Sequence, residues 1–255
     1  PHAPAETRLA IASSVANAAG IWYGLHGSTR LLDTPGCRAG TELMRFLADH
    51  EAYYTRTTSA ARVAVLYSLD TDREYRSAAE RSDFYGKAGE KRESLGEYAK
   101  ALYGLCDPLL RSSVPYDMVT DIELTERALG KYELLLLPSC ACLSDATVGA
   151  IRGWVRAGGC LVATSDSSLY TERGERRPDL ALGDLLGVRF AGSVTRYRDH
   201  DYLSRTEART VLFDGIELPY LPPVGGALDV EAAPGAEVLA RFHEPMAGRY
   251  VDLTP

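Results

Sequence analysis

Two cysteines and one serine occupy positions where an α/β protein could carry a nucleophile. Cys140 and Cys142 follow the run 132–137 (YELLLL), and Ser165 follows the run 160–164 (CLVAT). Short apolar runs of this kind are typical of strands buried in a parallel sheet. Because such sheets carry their functional groups beyond the carboxyl ends of the strands, these three side chains are the first candidates for chemistry.

Ser165 lacks the local sequence of a nucleophile elbow, the sharp strand-to-helix turn that exposes a catalytic side chain. Glycines usually flank such a turn because its backbone is strained, whereas residues 163–168 read ATSDSS. No motif links His200 or His243 to Ser165 as a general base. We therefore interpret this segment as a polar loop at the sheet edge, with a serine nucleophile as the alternative.

The cysteine pattern favours a structural role. A reactive thiol needs a lowered pKa and a partner base, and the sequence shows neither beside Cys140 or Cys142. Buried cysteine commonly packs as a small hydrophobic residue. The five cysteines are odd in number and irregularly spaced, which argues against a disulfide framework and predicts a reducing cytoplasm.

Metal and cofactor motifs are weak or missing. The segment 198–201 (RDHD) offers nitrogen and oxygen ligands, but a solvated turn is the preferred interpretation. Neither a dinucleotide-binding glycine motif nor a P-loop occurs in the sequence, so no cofactor and no metal are expected. The acids in the first 55 residues form no obvious catalytic pair and are read as solvated: Glu6, Asp33, Glu42, Asp49 and Glu51.

Charge and hydropathy exclude some classes of partner. The net charge is -7 and the isoelectric point is near 5.3, which gives no electrostatic reason to expect nucleic acid or an anionic membrane. No apolar run approaches the roughly 20 residues that cross a bilayer. We expect neither nucleic acid nor membrane as a partner.

The elements that would position these residues fall into two groups. In the first, helices are predicted over 5–20, ending at Gly20, and over 37–54, with a strand at 21–25 between them. A linker at 55–61 precedes the second group, in which strands are predicted at 62–68, 114–119, 132–137 and 160–164. Helices are predicted there at 92–113, 121–129 and 144–157, the last with Ser144 as N-cap.

Strand–helix alternation over about a hundred residues predicts an α/β fold with a doubly wound, mostly parallel sheet. Beyond about residue 190, proline and glycine become dense and helical periodicity ends. Short β-type runs such as 210–213 and 238–240 remain, which predicts an irregular, β-rich part.

The segment 131–189 carries a recognisable order of motifs. These are YELLLLP, a Leu-Ser-Asp helix start, a helix ending in WVRAGG, the strand LVAT and a DLLGV segment. In this order they resemble the β-galactosidase trimerisation domain, the middle domain of family 42 glycoside hydrolases and related glycosidases. The resemblance implies a flavodoxin-like sheet, similar to class I glutamine amidotransferases, that has lost its nucleophile.

The first 55 residues resemble the last unit of that family's catalytic (β/α)8 barrel. The segments RLAIASSVANAAGIWYG and TELMRFLADHEAYY are similar to its final helix, strand and closing helix. The resemblance implies that the catalytic glutamates lie on earlier strands outside this chain. His26 and Ser28 match a sugar-binding loop of the family, although only the serine is retained.

The resemblance implies domains at 1–55, a truncated barrel unit, and at 62–255, an amidotransferase-like trimerisation domain. Its expected function is non-catalytic: self-association, as a trimer or dimer, of a β-galactosidase-like glycoside hydrolase, with carbohydrate as a further ligand. Two alternatives stay open. One is a stand-alone amidotransferase-like hydrolase with a Cys or Ser nucleophile, and the other is a carbohydrate-binding module that uses the loops near 139–144 and 165–170.

Overall fold

The computed structural model describes residues 3–21, 33–75, 98–196, 202–208, 210–218, 220–221 and 226–243. The chain divides into two compact units, Pro1–Ala60 and Ala61–Pro255. Each unit is described separately below.

The first unit is helical where it is described, with α1 at Pro4–Ala16, α2 at Pro35–Asp49 and α3 at Glu51–Tyr54. Helix α1 packs on α2 at Gly40, where an added Cβ would lie 3.2 Å from Thr7 Cγ2. Thr34 caps α2 by accepting a hydrogen bond from Cys37 N at 3.4 Å. The close approach at Gly40 explains why Thr7 and Ile11 are the buried residues of α1.

The predicted limits of these helices were partly wrong. Helix α1 ends at Ala16 rather than Gly20, because Asn17 Nδ2 donates to Ser13 O at 2.8 Å and Ala18 takes a φ of 54°. Leu9 of α1 is 72% exposed. The predicted helix 37–54 is broken at His50 into α2 and α3. Most of the predicted strand 21–25 lies outside the described residues.

The second unit contains a four-stranded parallel sheet, which confirms the predicted α/β class. Its strands are β1 (Val63–Tyr67), β2 (Tyr116–Thr120), β3 (Leu134–Leu137) and β4 (Cys160–Ala163), in the order β2-β1-β3-β4. The helices described between the strands are α4 (Leu69–Glu74), α5 (Tyr98–Arg111), α6 (Glu126–Leu129) and α7 (Asp145–Arg156).

Side chains alternate between the two faces of this sheet. Leu66 and Leu135 pack in a core with Ile151 and Trp154 of α7. Val65 and its neighbour Leu136 belong to a second core, which contains Leu102 and Cys106 of α5. Because both faces of the inner strands are covered, β1 and β3 read as continuous apolar runs.

Helix α7 begins where its N-cap was predicted. Ser144 Oγ accepts a hydrogen bond from Thr147 N at 3.1 Å, which confirms the cap. Helix α6 is shorter than the predicted 121–129, because it starts only after Thr125 caps it. Helix α5 lies within the predicted 92–113, and the part of that range before Tyr98 lies outside the described residues. Helix α4 was not predicted at all.

Beyond about residue 190, the described residues form mainly short antiparallel strands. Strand β5 (Val188–Arg196) pairs antiparallel with β8 (Gly226–Ala232), and β6 (Tyr202–Arg205) lies between β7 (Tyr220–Leu221) and β9 (Ala240–His243). The run 210–213 was expected to be extended, but Val211–Phe213 forms a 3₁₀ turn because Thr210 Oγ1 accepts Leu212 N at 3.2 Å. Helix α8 lies at Gly183–Leu186.

Within the described ranges, no helix is both long enough and apolar enough to span a bilayer.

Candidate functional site

The carboxyl edge of the parallel sheet gathers most of the buried polar residues of the second unit. Strand β1 is followed by β2 on one side, and the chain then crosses to β3 on the other side of β1. The connections therefore leave β1 and β3 in opposite directions, the arrangement that opens a ligand crevice in α/β sheets. Buried Ser68, Asp121 and Asp166 follow β1, β2 and β4 respectively.

A hydroxyl pair after β1 ties this edge to the loop after β3. Ser68 Oγ lies 3.0 Å from Asp121 Oδ2 and 3.1 Å from Cys142 O. Thr71 Oγ1 accepts a hydrogen bond from Cys142 N at 3.0 Å, and Thr71 N donates to Ser68 Oγ at 3.0 Å as the cap of α4. Ser68 and Thr71 are fully buried. Their hydroxyls are therefore used for support and are not presented to a ligand.

A second buried contact joins the end of α4 to the loop after β4. The Tyr75 hydroxyl donates to Asp166 Oδ2, and Asp166 is 2% exposed. Burial raises the pKa of Asp166, while hydrogen bonds from Tyr75 and Ser165 oppose that shift. The Tyr75 ring also packs edge-on against Tyr170, with centroids 5.6 Å apart.

The two buried carboxylates make the edge electronegative. Asp121 Oδ1 and Asp166 Oδ1 each lack a hydrogen-bond partner among the described residues. Burial and the nearby Asp121 charge raise the pKa of Asp70. This setting disfavours a further negative charge, such as a thiolate or an anionic intermediate.

Cys140 and Cys142 lie within this electronegative edge. Both are fully buried, and Cys140 Sγ lies 3.6 Å from Leu66 O. Burial raises the pKa of the Cys140 thiol well above its usual range, and the Asp121 charge adds to the effect. Burial, followed by the charge of Asp166, raises the pKa of Cys142 to about 12. A nucleophilic cysteine needs exposure and a lowered pKa, so this environment is the opposite of a thiol active site.

Ser165 has a positive φ but does not lie in a nucleophile elbow. Its φ is 53°, in the left-handed region, and residues 165–168 form a turn that does not lead into a helix. The side chain is exposed, and its hydroxyl hydrogen-bonds Asp166. Among the residues that the structure describes, no histidine hydrogen-bonds Ser165, so the serine lacks the base that activates such a nucleophile.

A serine–histidine contact does occur in the three-stranded sheet β7-β6-β9, and the sequence analysis did not predict it. Ser204 Oγ lies 2.5 Å from His243 Nε2, and the imidazole stacks on Tyr202. Strand β6 pairs with β9 so that Tyr202 opposes His243, which makes Ser204 a diagonal neighbour of the histidine. The sequence places residues 202 and 204 on the same face of a strand. It gave no indication that His243, which is 39 residues beyond Ser204, lies on the strand that pairs with it.

The other candidates are placed as follows. His26, Ser28 and the 198–201 segment lie outside the described residues. Over the described part of the chain, no group of three His, Cys, Asp or Glu side chains could hold a metal ion. The five acids of the N-terminal region are all exposed, as expected; Arg8 pairs with Glu42 at 3.1 Å and Arg38 with Asp33 at 2.6 Å.

Residues 61–250 match the protein family described as the β-galactosidase trimerisation domain. The chain belongs to this family. The match includes the whole parallel sheet with its buried polar edge, together with the β-rich part that follows. In this member of the family, Cys140 and Cys142 are buried at the carboxyl edge of the sheet, and the exposed Ser165 has no histidine partner in the described structure.

Solved structures show a similar fold. The β-galactosidase from Bacillus circulans sp. alkalophilus is 18% identical, with a TM-score of 0.60 over 82% of this chain and 29% of its own. The cold-adapted β-galactosidase from Rahnella sp. R3 is 18% identical, with a TM-score of 0.61 over 83% and 29%.

The alpha-L-fucosidase isoenzyme 2 from Paenibacillus thiaminolyticus is 23% identical, with a TM-score of 0.59 over 97% of this chain and 33% of its own. This chain therefore spans about a third or less of the solved proteins that it matches. No curated protein matches the sequence significantly.

Proposed function

We propose that this chain is the assembly part of a larger, β-galactosidase-like glycoside hydrolase and hydrolyses no bond itself. One observation carries the proposal: the sheet edge where an α/β enzyme would place its nucleophile is filled by side chains that bond to one another. Ser68, Thr71 and Asp121 are buried in that network, and both cysteines beside it have raised pKa values. A domain that has this fold but lacks catalytic residues still presents a stable surface to partners.

The finer architecture belongs to the same proposal. The strand order β2-β1-β3-β4 supports a flavodoxin-like, amidotransferase-like sheet for 62–255. We propose that 1–55 is the last unit of a catalytic barrel, supported by the 97% coverage of this chain in the alignment with the fucosidase. Under this proposal His26 and Ser28 belong to a barrel loop facing the sugar.

The partner that we propose is a second and third copy of the same chain, with a dimer as the alternative. The family description, trimerisation domain, supports self-association. We propose a cytoplasmic setting, supported by five cysteines that are all free, four of them buried. A reducing compartment keeps such thiols reduced.

A carbohydrate-binding role for the loops near 139–144 and 165–170 is the second candidate. Asp121 Oδ1 and Asp166 Oδ1 are acceptors without partners among the described residues, and sugar hydroxyls are donors. The complete burial of Cys140 and Cys142 beside them argues against easy access by a ligand.

Light scattering coupled to size-exclusion chromatography tests the proposal directly. We expect the chain to elute with a mass that is a multiple of 27.7 kDa and does not change when simple galactosides or fucosides are added. A monomer whose thermal stability rises with a sugar would instead support the binding-module candidate. Covalent labelling of Ser165 by a serine-directed probe would reopen the hydrolase alternative.

A further inference from the structure

The loop between β6 and β7 exposes a cluster of aliphatic side chains, which we call the aliphatic ridge. It consists of Val211, Leu212, Ile216 and Leu218, which are 80%, 69%, 38% and 62% exposed. Scattered exposed apolar residues are ordinary, but four within eight positions form a patch of the kind that marks an interaction site. Val211 and Leu212 are the most exposed of the four.

The ridge is held in place by its own loop. Asp214 N donates to Val211 O at 3.1 Å, and Ile216 N donates to Phe213 O at 3.0 Å. Arg205 reaches across from β6, where its Nη1 donates to Ile216 O at 2.8 Å and its guanidinium lies 5.6 Å from the Phe213 ring centroid. A surface ordered before binding loses less conformational entropy when it binds.

A groove of about 680 Å³ lies beside the ridge. Its lining includes Val211 of the ridge itself, together with Arg205, Thr206, Ala208, Thr210, Phe213 and Asp214. The Asp214 carboxylate is exposed and makes no ion pair among the described residues. The patch thus combines an aliphatic projection, a groove and charges of both signs. Such a surface is complementary to itself, because the ridge and the acid of one copy match the groove and the arginine of another.

We propose that the aliphatic ridge is the centre of the contact through which copies of this chain associate, with Val211 and Leu212 of one copy entering the groove of the next. This inference rests on the proposed assembly function and names the surface that performs it. The ridge lies within residues 61–250, which match the trimerisation domain family. A stable interface buries about 800 Å² per partner and has an apolar core inside a polar rim. In the proposed contact the four aliphatic side chains belong to the core and the polar groove residues to the rim.

The ridge can be tested with a pair of matched variants. In Val211→Ser/Leu212→Ser the two most exposed ridge residues become polar, and in the control Ile122→Ser an aliphatic residue that is 81% exposed elsewhere in the same unit becomes polar. Surface changes of this kind cost little stability. Circular dichroism and thermal melts check that each variant folds, and sedimentation velocity over a range of concentrations gives the association constant.

We expect the ridge variant to weaken association by at least about tenfold, because truncation of a buried hot spot has an effect of that size, while Ile122→Ser associates like the parent chain. If the parent chain associates and the ridge variant has the same association constant, the ridge is not the contact, and the assembly function still stands. Equal loss in both variants would also overturn the ridge. A parent chain that stays monomeric at every concentration would contradict the assembly function itself.

Discussion

The Tyr75 hydroxyl donates a hydrogen bond to Asp166 Oδ2 across 91 residues of sequence. This bond joins the end of α4, which follows β1, to the loop that follows β4, so it spans the β3 end of the sheet. Asp166 is buried, and its second oxygen has no partner in the described part of the chain. The stability of the sheet edge should therefore depend in part on this contact and on the charge of Asp166.

Replacing Tyr75 with Phe should lower the free energy of unfolding by about 1 to 3 kcal/mol, because it removes a hydrogen-bond donor from a buried carboxylate. Urea unfolding of the parent and the variant measures the difference. Tyr103→Phe is the matched control, since that ring is 72% exposed on α5 and should tolerate the change. Equal stability of parent and Tyr75→Phe would show that the contact does not support the fold.

The charge of Asp166 predicts a pH dependence. Burial raises its pKa above the ordinary value of 3.8, so the folded state holds this proton more tightly than the unfolded state. The protonated form of Asp166 therefore contributes to the stability of the folded state. This contribution is fully present below pH 3.8 and is lost as the pH rises through the pKa of the folded state. We therefore expect the stability of Asp166→Asn relative to the parent to improve from pH 3.5 to about pH 7.

Asp184 provides a control of opposite sign. A hydrogen bond from Arg152 lowers its pKa, so its small contribution is present above the ordinary value and is lost in acid. Asp184→Asn should accordingly lose stability relative to the parent as pH rises over the same range. Unfolding curves at several pH values measure both variants, and identical trends would contradict the assignment of these two environments.

The cysteines should differ sharply in reactivity. Cys160 is exposed, whereas burial raises the pKa of Cys140 and Cys142. At pH 8 a thiol-directed reagent should modify about one thiol quickly in the folded chain, since only accessible thiolates react. Cys160→Ser should remove that fast phase, and peptide mass spectrometry identifies the labelled residue. Fast labelling of Cys140 or Cys142 in the folded state would revive a thiol active site.

Two glycines near α7 should respond oppositely to alanine. At Gly159 an added Cβ would lie 2.3 Å from the buried Trp154 ring, so Gly159→Ala should cost about 1 to 3 kcal/mol through overpacking. At Gly149, inside α7, nothing lies within 4 Å, so Gly149→Ala should stabilise by up to about 1 kcal/mol. Thermal unfolding of both variants decides the comparison. Tolerance of Gly159→Ala would mean that Trp154 packs elsewhere.

Local signals in the sequence determined much of the central sheet. The apolar runs predicted β1 and β3 to within one or two residues, because strands covered on both faces need continuous apolar character. The edge strand β4 was predicted to within one residue, although its side chains are only partly covered. Ser144 marked the start of α7 because a capping hydroxyl acts on an amide only three residues away. The order of motifs over 131–189 was enough to indicate the family.

Tertiary structure decided what depends on distant partners. Helix α4 has only six residues, and its cap, Ser68, is held by Asp121 and Cys142, which are 53 and 74 residues away. A sequence window cannot contain such contacts. The left-handed backbone of Ser165 is likewise maintained without glycine, in a loop whose Asp166 bonds to Tyr75.

The sequence by itself determined the α/β class and the central strands, since these follow from local propensity and apolar periodicity. It also indicated the family, through the resemblance of its motifs over 131–189. Only the tertiary structure decided that the cysteines are buried beside two carboxylates and that the aliphatic residues at 211–218 face solvent. Apolar character marks a residue as suitable for burial. Whether it packs in the core or stays exposed depends on which surfaces the completed fold covers.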